Sequence, residues 1–271
     1  MVNNMSLMVD SVEQRVLELV KKHVEGQKTI TGTRIERVQK QHAYEYEWYE
    51  DEPVSYTEVD STERDAAFAE LMQIGKPALP TLVKIITSER GEYPNEYSRI
   101  IDGVGPPLRL LADKEVSKSL VQPFQQKVDK ISYENQEPYD CQIWSISHIL
   151  SVYPVSEATP ALYAAITKKT NEKHFFSQYT RQNCFDALAG IGTKEAVTKI
   201  LTAAVQDAQS KHQSDSNYAL ALRCLEQKIF QNGKILYEIY GTTEDAQIKE
   251  ITSEALSWTK SIYWLRKKLH L

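Results

Sequence analysis

The sequence predicts an all-α protein: an irregular stack of antiparallel helix pairs, with an N-terminal helix and either a short β-hairpin or an extended arm added to it. Three observations carry this. Residues 62–88 read TERDAAFAELMQIGKPALPTLVKIITS, two short helices with apolar faces joined by almost nothing. Patterns like the second of these helices recur downstream at intervals of roughly forty residues, the spacing of stacked helix pairs. Cys141, Cys184 and Cys224, separated by 43 and 40 residues, form a second ruler of nearly the same period.

In the opening pair, Ala66, Ala67, Leu71 and Ile74 give the first helix its apolar face and Gly75 allows the turn. Lys76-Pro77 then opens a second helix carrying Ala78, Leu79, Leu82, Ile85 and Ile86. Two helices this short cannot bury both faces against each other alone, so they require neighbours. Ala158-Thr159-Pro160-Ala161-Leu162 and Ala196-Val197-Thr198-Lys199-Ile200 repeat the Ala78-to-Leu82 pattern, and Val121-Gln122-Pro123-Phe124 falls where an intervening copy belongs. Starts at 78, 121, 158 and 196 are 43, 37 and 38 residues apart.

These runs resemble the HEAT-repeat family. The resemblance rests on Ile74-Gly75-Lys76-Pro77-Ala78-Leu79-Pro80-Thr81-Leu82 and on the looser Ala189-Gly190-Ile191-Gly192-Thr193-Lys194-Glu195-Ala196-Val197, and it spans roughly residues 60–230. The interhelix Asp and second-helix Arg of strong family members are missing. The resemblance implies an α-solenoid whose stacked pairs expose a long recognition surface.

The rest of the chain follows in order. Residues 6–24 read as an amphipathic helix stopped by Gly26, with Lys21, Lys22 and His23 at the favourable end of its dipole. Residues 28–59 break the helical pattern. They are β-prone around Thr29 to Val38, then alternate rings and acids at Tyr44-Glu45-Tyr46-Glu47-Trp48, which would put rings on one face and carboxylates on the other. Gly103-Val104-Gly105-Pro106-Pro107 predicts a kinked helix or two short ones. Helices are expected over 114–131, 139–153, 156–169, 175–188, 194–208 and 218–230, a short one around Ile235 to Tyr240, and one or two over 243–271. Three regions result, within one continuous structural domain: 1–59 as helix plus acidic and aromatic arm, 60–240 as helix pairs, and 241–271 as a C-terminal cap.

Composition restricts the function classes. The 271 residues are 41% hydrophobic with ten Gly and ten Pro, enough for a substantial core and too few breakers for a linker-rich chain. No run approaches the roughly 18 apolar residues of a membrane span, and the N-terminus lacks a basic region followed by an apolar one. Three scattered cysteines without a Cys-x-x-Cys spacing fit a reducing cytoplasm. The net charge is −5, and residues 43–65 hold nine acids against the single Arg64. Such a segment repels phosphate backbones and suits a basic partner.

No nucleotide loop, nucleophile elbow or metal-binding His motif occurs, so the sequence nominates no catalytic residue, cofactor or metal. The leading recognition candidates are Tyr44, Tyr46, Glu47, Trp48, Tyr49, Glu50, Asp51 and Glu52. Rings with polar tips provide contact area and carboxylates engage Lys or Arg; the other reading is an edge strand kept soluble by its acids. A second candidate is the Gly105-Pro106-Pro107 corner with Tyr97, Arg99 and Arg109. The basic end formed by Lys260, Arg266, Lys267 and Lys268 is explained by the helix dipole, and the chain lacks the basic field expected of a nucleic-acid binder.

The expected function is therefore a protein-binding module, whether adaptor, regulator or inhibitor and immunity-type protein, that recognises a partner through one face of the array and the acidic arm. Self-association through an exposed end is a further alternative. So is an enzyme or cofactor-handling protein, whose pocket would gather two or more of Asp102, Arg109, Glu157, His148, His174 and Asp186 with a buried acid.

Overall fold

The computed structural model describes residues 2–26, 28–41, 47–89, 97–132, 136–170, 173–210 and 213–269, with backbone alone over 2–10, 28–59, 97–99, 136–140 and 258–269 and at positions 102, 170, 173, 174 and 210. Helices dominate, and twelve α-helices lie among these residues. The chain divides into two compact units, Met1–Thr81 and Leu82–Leu271.

The first unit holds α1 (Val2–Glu25), the antiparallel strands β1 (Lys28–Gln41) and β2 (Glu47–Asp60), α2 (Thr62–Ile74), and a 3-10 turn (Lys76–Ala78) that leads into α3 (Leu79–Thr87). Helix α1 packs on α2, burying Val16, Leu19 and Val20 on one and Ala67 and Leu71 on the other. Gly26 makes the approach possible: a Cβ there would lie 2.5 Å from the Lys22 carbonyl and 2.6 Å from the Arg64 amide. Beside it, His23 Nδ1 lies 3.1 Å from the Arg64 carbonyl, and Arg15 donates from Nε and Nη2 to Glu70 at 2.7 and 2.6 Å. Gly75, with φ of 66°, ends α2 in a conformation that costs a side chain energy.

The hairpin register runs from Lys28 opposite Asp60 to Gln41 opposite Glu47. Of the ring-and-acid alternation at Tyr44-Glu45-Tyr46-Glu47-Trp48, Glu47 and Trp48 are successive positions of β2 and so fall on opposite faces, while positions 44–46 lie outside the described residues.

The second unit contains α4 (Tyr97–Leu111), α5 (Lys114–Lys130), α6 (Gln136–Val152), α7 (Thr159–Thr167), α8 (Gln178–Ile191), α9 (Lys194–Val205), α10 (Asn217–Gln227), α11 (Ile229–Thr242) and α12 (Ala246–Leu269). A two-residue strand pair, β3 (Lys169–Thr170) with β4 (Lys173–His174), stands between α7 and α8. Helices α4, α6, α8 and α10 touch in succession, and so do α5, α7, α9 and α11; α12 packs on α9, α10 and α11. Between these two rows lies the core, with Phe124, Leu120, Ile143, Ile146, Leu162, Phe185, Ile200 and Leu225 fully buried.

Some local outcomes decide between the alternatives the sequence left open, and the α10–α11 boundary differs from its expectation. Helix α4 runs unbroken through Pro106 and Pro107. Its buried face of Ile100, Ile101, Val104 and Leu108 offsets the hydrogen bonds that the prolines remove. Gly105 then lets α6 close in, because a Cβ at that position would lie 2.8 Å from Ser145 Oγ. Helix α10 stops at Gln227, so Ile229 and Phe230 belong to a longer α11, and α12 is one continuous helix.

Side chains from one helix pair cap the carbonyl ends of another. Gln142 Nε2 donates to Ile86 and Ser88 carbonyls at 2.8 and 3.0 Å, and Lys127 Nζ to Ser88 at 3.1 Å. Lys168 Nζ donates to the Val128 carbonyl at 2.6 Å, Asn217 Nδ2 to that of Ile166 at 3.2 Å, and Ser117 Oγ to that of Tyr153 at 2.6 Å. Asn232 and Gln231 donate to Ala189 and Gly190 at 3.0 and 2.7 Å. These acceptors lie at or just past helix C-termini, where no intrahelical donor exists.

Gln142 is fully buried, so replacing it takes a side-chain donor from the Ile86 carbonyl and leaves that of Ser88 with Lys127. Gln142→Leu, which keeps most of the volume, is expected to lower unfolding free energy by about 1–3 kcal/mol, measured by urea denaturation; no change would show that the cap contributes nothing.

Candidate functional site

The surface where sequence-nominated and unforeseen residues meet is the side of α4, α6 and α8. Arg109, on α4, lays its guanidinium over the Trp144 ring of α6, 4.8 Å from the centroid. One turn along α6, His148 stacks on the same indole at 6.3 Å between centroids and 28° between planes. Asn183 of α8 donates from Nδ2 to Oγ of Ser147, next to His148 in the chain, at 3.2 Å. The order Arg109, Trp144, His148, Asn183 thus crosses three adjacent helices.

Local sequence explains the arrangement of α6. Ile143, Ile146, Ile149 and Leu150 go into the core, and Trp144, displaced about 100° from Ile143 around the helix axis, retains 39% of its exposure. Trp144 thus stands at the edge of the apolar face, in solvent reach. Tyr179, in the first turn of α8, is 74% exposed. Together with Cys141, Ser177 and Thr180, these rings line an open, largely apolar depression of ≈ 210 Å³.

The electrostatics are asymmetric. Burial pulls the Arg109 guanidinium below its ordinary value, and its Nη1 is buried with no hydrogen-bond partner; the group stays charged all the same. Burial first, then the Arg109 charge, lowers the His148 pKa, against a smaller opposing influence of Asn183 as acceptor. Burial raises Asp186 on α8, which accepts from Gln182 Nε2 at 2.9 Å and feels Lys228 and Arg223.

Of the other nominated residues, Tyr44 and Tyr46 lie outside the described residues. Glu47, Trp48, Tyr49, Glu50, Asp51 and Glu52 are placed on β2, and Tyr97, Arg99 and Asp102 on α4, by backbone position. His174 lies on β4. Glu157 sits apart in the turn before α7, where its own amide and the Ser156 hydroxyl hold its carboxylate below the ordinary range, helped by Lys118 and Lys114. Among the described side chains, the depression beside Trp144 is lined by none of Arg109, Glu157, His148 or Asp186, and the side chains of Asp102 and His174 lie outside the described ones. Among the described residues, no group of three His, Cys, Asp or Glu is placed to hold a metal ion.

Cys184 and Cys224 are buried, and burial raises both thiols far above their ordinary values, which removes nucleophilic character. Cys141 is half-buried at the depression. Trp144, Tyr179 and Asn183 were not nominated from sequence. Their signal is weak: an aromatic flanking a core position reads as core until the neighbouring helix is in place.

Among the described residues, no helix is long and apolar enough to cross a membrane. No protein-family model matches the chain, and no curated protein is similar enough to indicate relationship.

His148 titrates below the ordinary histidine value of about 6.5 when the chain is folded, so on acidification the unfolded chain takes up the proton first. The stability contributed by neutral His148 is present above about pH 6.5 and is lost as pH falls below it. Thermal melts at about pH 7.5 and 5.5 should therefore show a smaller acid-induced fall in Tm for His148→Gln than for wild type. Equal falls would contradict a histidine held neutral.

Proposed function

We propose that this chain is a HEAT-like helical-repeat protein that binds another protein through the side of α4, α6 and α8. The observation that carries the reading is Trp144, an exposed indole fixed between Arg109 and His148 beside an apolar depression. Tryptophan, tyrosine and arginine in a preorganised cluster are the side chains that dominate protein interfaces, and fixing them beforehand lowers the entropy cost of association.

Support for the repeat reading comes from contacts at a nearly constant sequence interval. Hydrogen bonds join Asn183 to Ser147, Lys127 to Ser88, Lys168 to Val128, Asn232 to Ala189 and Lys194 to Glu238, over separations of 36, 39, 40, 43 and 44 residues. These bonds are of different kinds, but their spans, near the length of one helix pair, accord with stacked repeats. The helices carrying Cys141, Cys184 and Cys224 fall in one row, and those carrying Pro123, Pro160 and Thr198 in the other. Such a row presents side chains from successive pairs to one partner, although fold by itself fixes no function. The acidic strand β2, with Arg37 opposite Asp51 and Lys40 opposite Trp48, is a second surface suited to a basic group. An adaptor, a regulator and an inhibitor all fit this description, and a cytoplasmic setting accords with three scattered cysteines without a Cys-x-x-Cys spacing.

Affinity capture from the native cell tests the reading. A partner held by wild type should be weakened about tenfold or more by Trp144→Ala, with Glu238→Ala on α11 as the folded surface control. Equal capture by all three proteins would remove this face as the recognition surface.

A further inference from the structure

The chemistry of this face specifies what a partner presents to it. Arg109 supplies a cation that nothing in its described surroundings neutralises: its contact is the Trp144 ring, and its Nη1 is packed beside Gly105, 3.7 Å from where a Cβ would stand. A guanidinium on an indole is positioned but keeps its full charge. The acid of α8, Asp186, is engaged instead by Gln182, Arg223 and Lys228. His148, on the same indole as Arg109, is held toward its neutral form and adds no competing anion.

Next to this cation, Trp144 also walls the depression that Cys141, Ser177, Tyr179 and Thr180 complete. At ≈ 210 Å³ it has room for one apolar side chain and none for a folded element. A partly desolvated cation thus lies one ring away from an apolar cup.

We propose that the occupant is an acidic peptide segment of the partner, with an apolar side chain seated between Trp144 and Tyr179 and an adjacent carboxylate on the outward edge of Arg109. This inference rests on the partner-binding reading. A carboxylate makes charge-assisted hydrogen bonds to the guanidinium, stronger than neutral ones and stronger again where water is partly excluded. A neutral apolar segment fills the cup but leaves Arg109 further desolvated and unpaired. A basic segment is repelled.

Fluorescence anisotropy of the full chain decides the matter, using three labelled peptides of equal length in which a central Leu-Trp pair is flanked by glutamates, glutamines or lysines. The glutamate peptide is expected to bind wild type about tenfold more tightly than the glutamine peptide, with the lysine peptide weakest. Arg109→Met should erase the preference for glutamate over glutamine. Arg109→Lys, which keeps the charge without the planar fork, should retain part of it, and Trp144→Ala should weaken both peptides. Far-UV circular dichroism checks the fold of each variant, and the three-peptide ranking on wild type stands even if Arg109→Met fails to fold. Equal affinity for the glutamate and glutamine peptides, a preference that survives Arg109→Met, or no binding by any peptide would overturn the inference. Tightest binding of the glutamine or lysine peptide, abolished by Trp144→Ala, would overturn it while leaving the partner reading in place; that reading falls separately, through cellular capture insensitive to Trp144→Ala.

Discussion

The constraint on which the second unit depends is the supply of donors to helix C-termini. An α-helix leaves its last four carbonyls without intrahelical partners, and α7 is only 9 residues long. Nearly half of its acceptors therefore need an external donor or water. Burial in a stack removes the water. Lys127, Gln142, Asn217 and Asn232, each at most 2% exposed, bring donors from other helices to these ends. Apolar faces drive the helices together, but they tolerate sliding; a side-chain amide that must reach one particular carbonyl does not.

One junction shows how such caps combine into a network. Arg181 of α8, 3% exposed, donates from Nη1 to Asn217 Oδ1 at 2.6 Å, from Nη2 to the Asp215 carbonyl at 2.7 Å and from Nε to the Phe176 carbonyl at 3.2 Å. Asn217 in turn donates its amide to Asp207 Oδ2 at 2.8 Å and its side chain to Ile166. Asp207 also meets Lys169 Nζ at 3.3 Å. A buried cation is tolerated here because three acceptors surround it. The start of α10 is thereby tied to the ends of α7 and α9. Arg109 has no such set of acceptors among the described residues, and that contrast separates the structural arginine from the one proposed for recognition.

Much of the helical layout could be read from the residues. The turn at Gly75, the helices beginning near Thr159 and Lys194, and the forty-residue rulers of cysteines and prolines follow from local chemistry: apolar spacing, proline near a helix start, glycine at an end. The α4 prolines, the division at Lys228 and the β3–β4 pair were harder. Each depends on whether burial elsewhere outweighs a local preference, and a window of ten residues does not contain that information. Of the candidate site, Arg109 and His148 were nominated from the sequence, in different groupings, and Trp144 and Asn183 were not. Trp144 sits in an apolar pattern whose outer limit is set by how closely α4 and α8 approach.

By itself, the sequence determined that the chain is mainly helical and roughly where most of its helices lie, because periodicity and capping act over one or two turns. Tertiary structure alone decided which aromatic stays in solvent, which arginine remains without a carboxylate among the described residues, and which amide closes which carbonyl. Those outcomes join residues some forty positions apart, and Gly105 and Ser145 illustrate the reason: the distance between two helices is settled by the smallest side chains where they cross, which neither helix encodes alone.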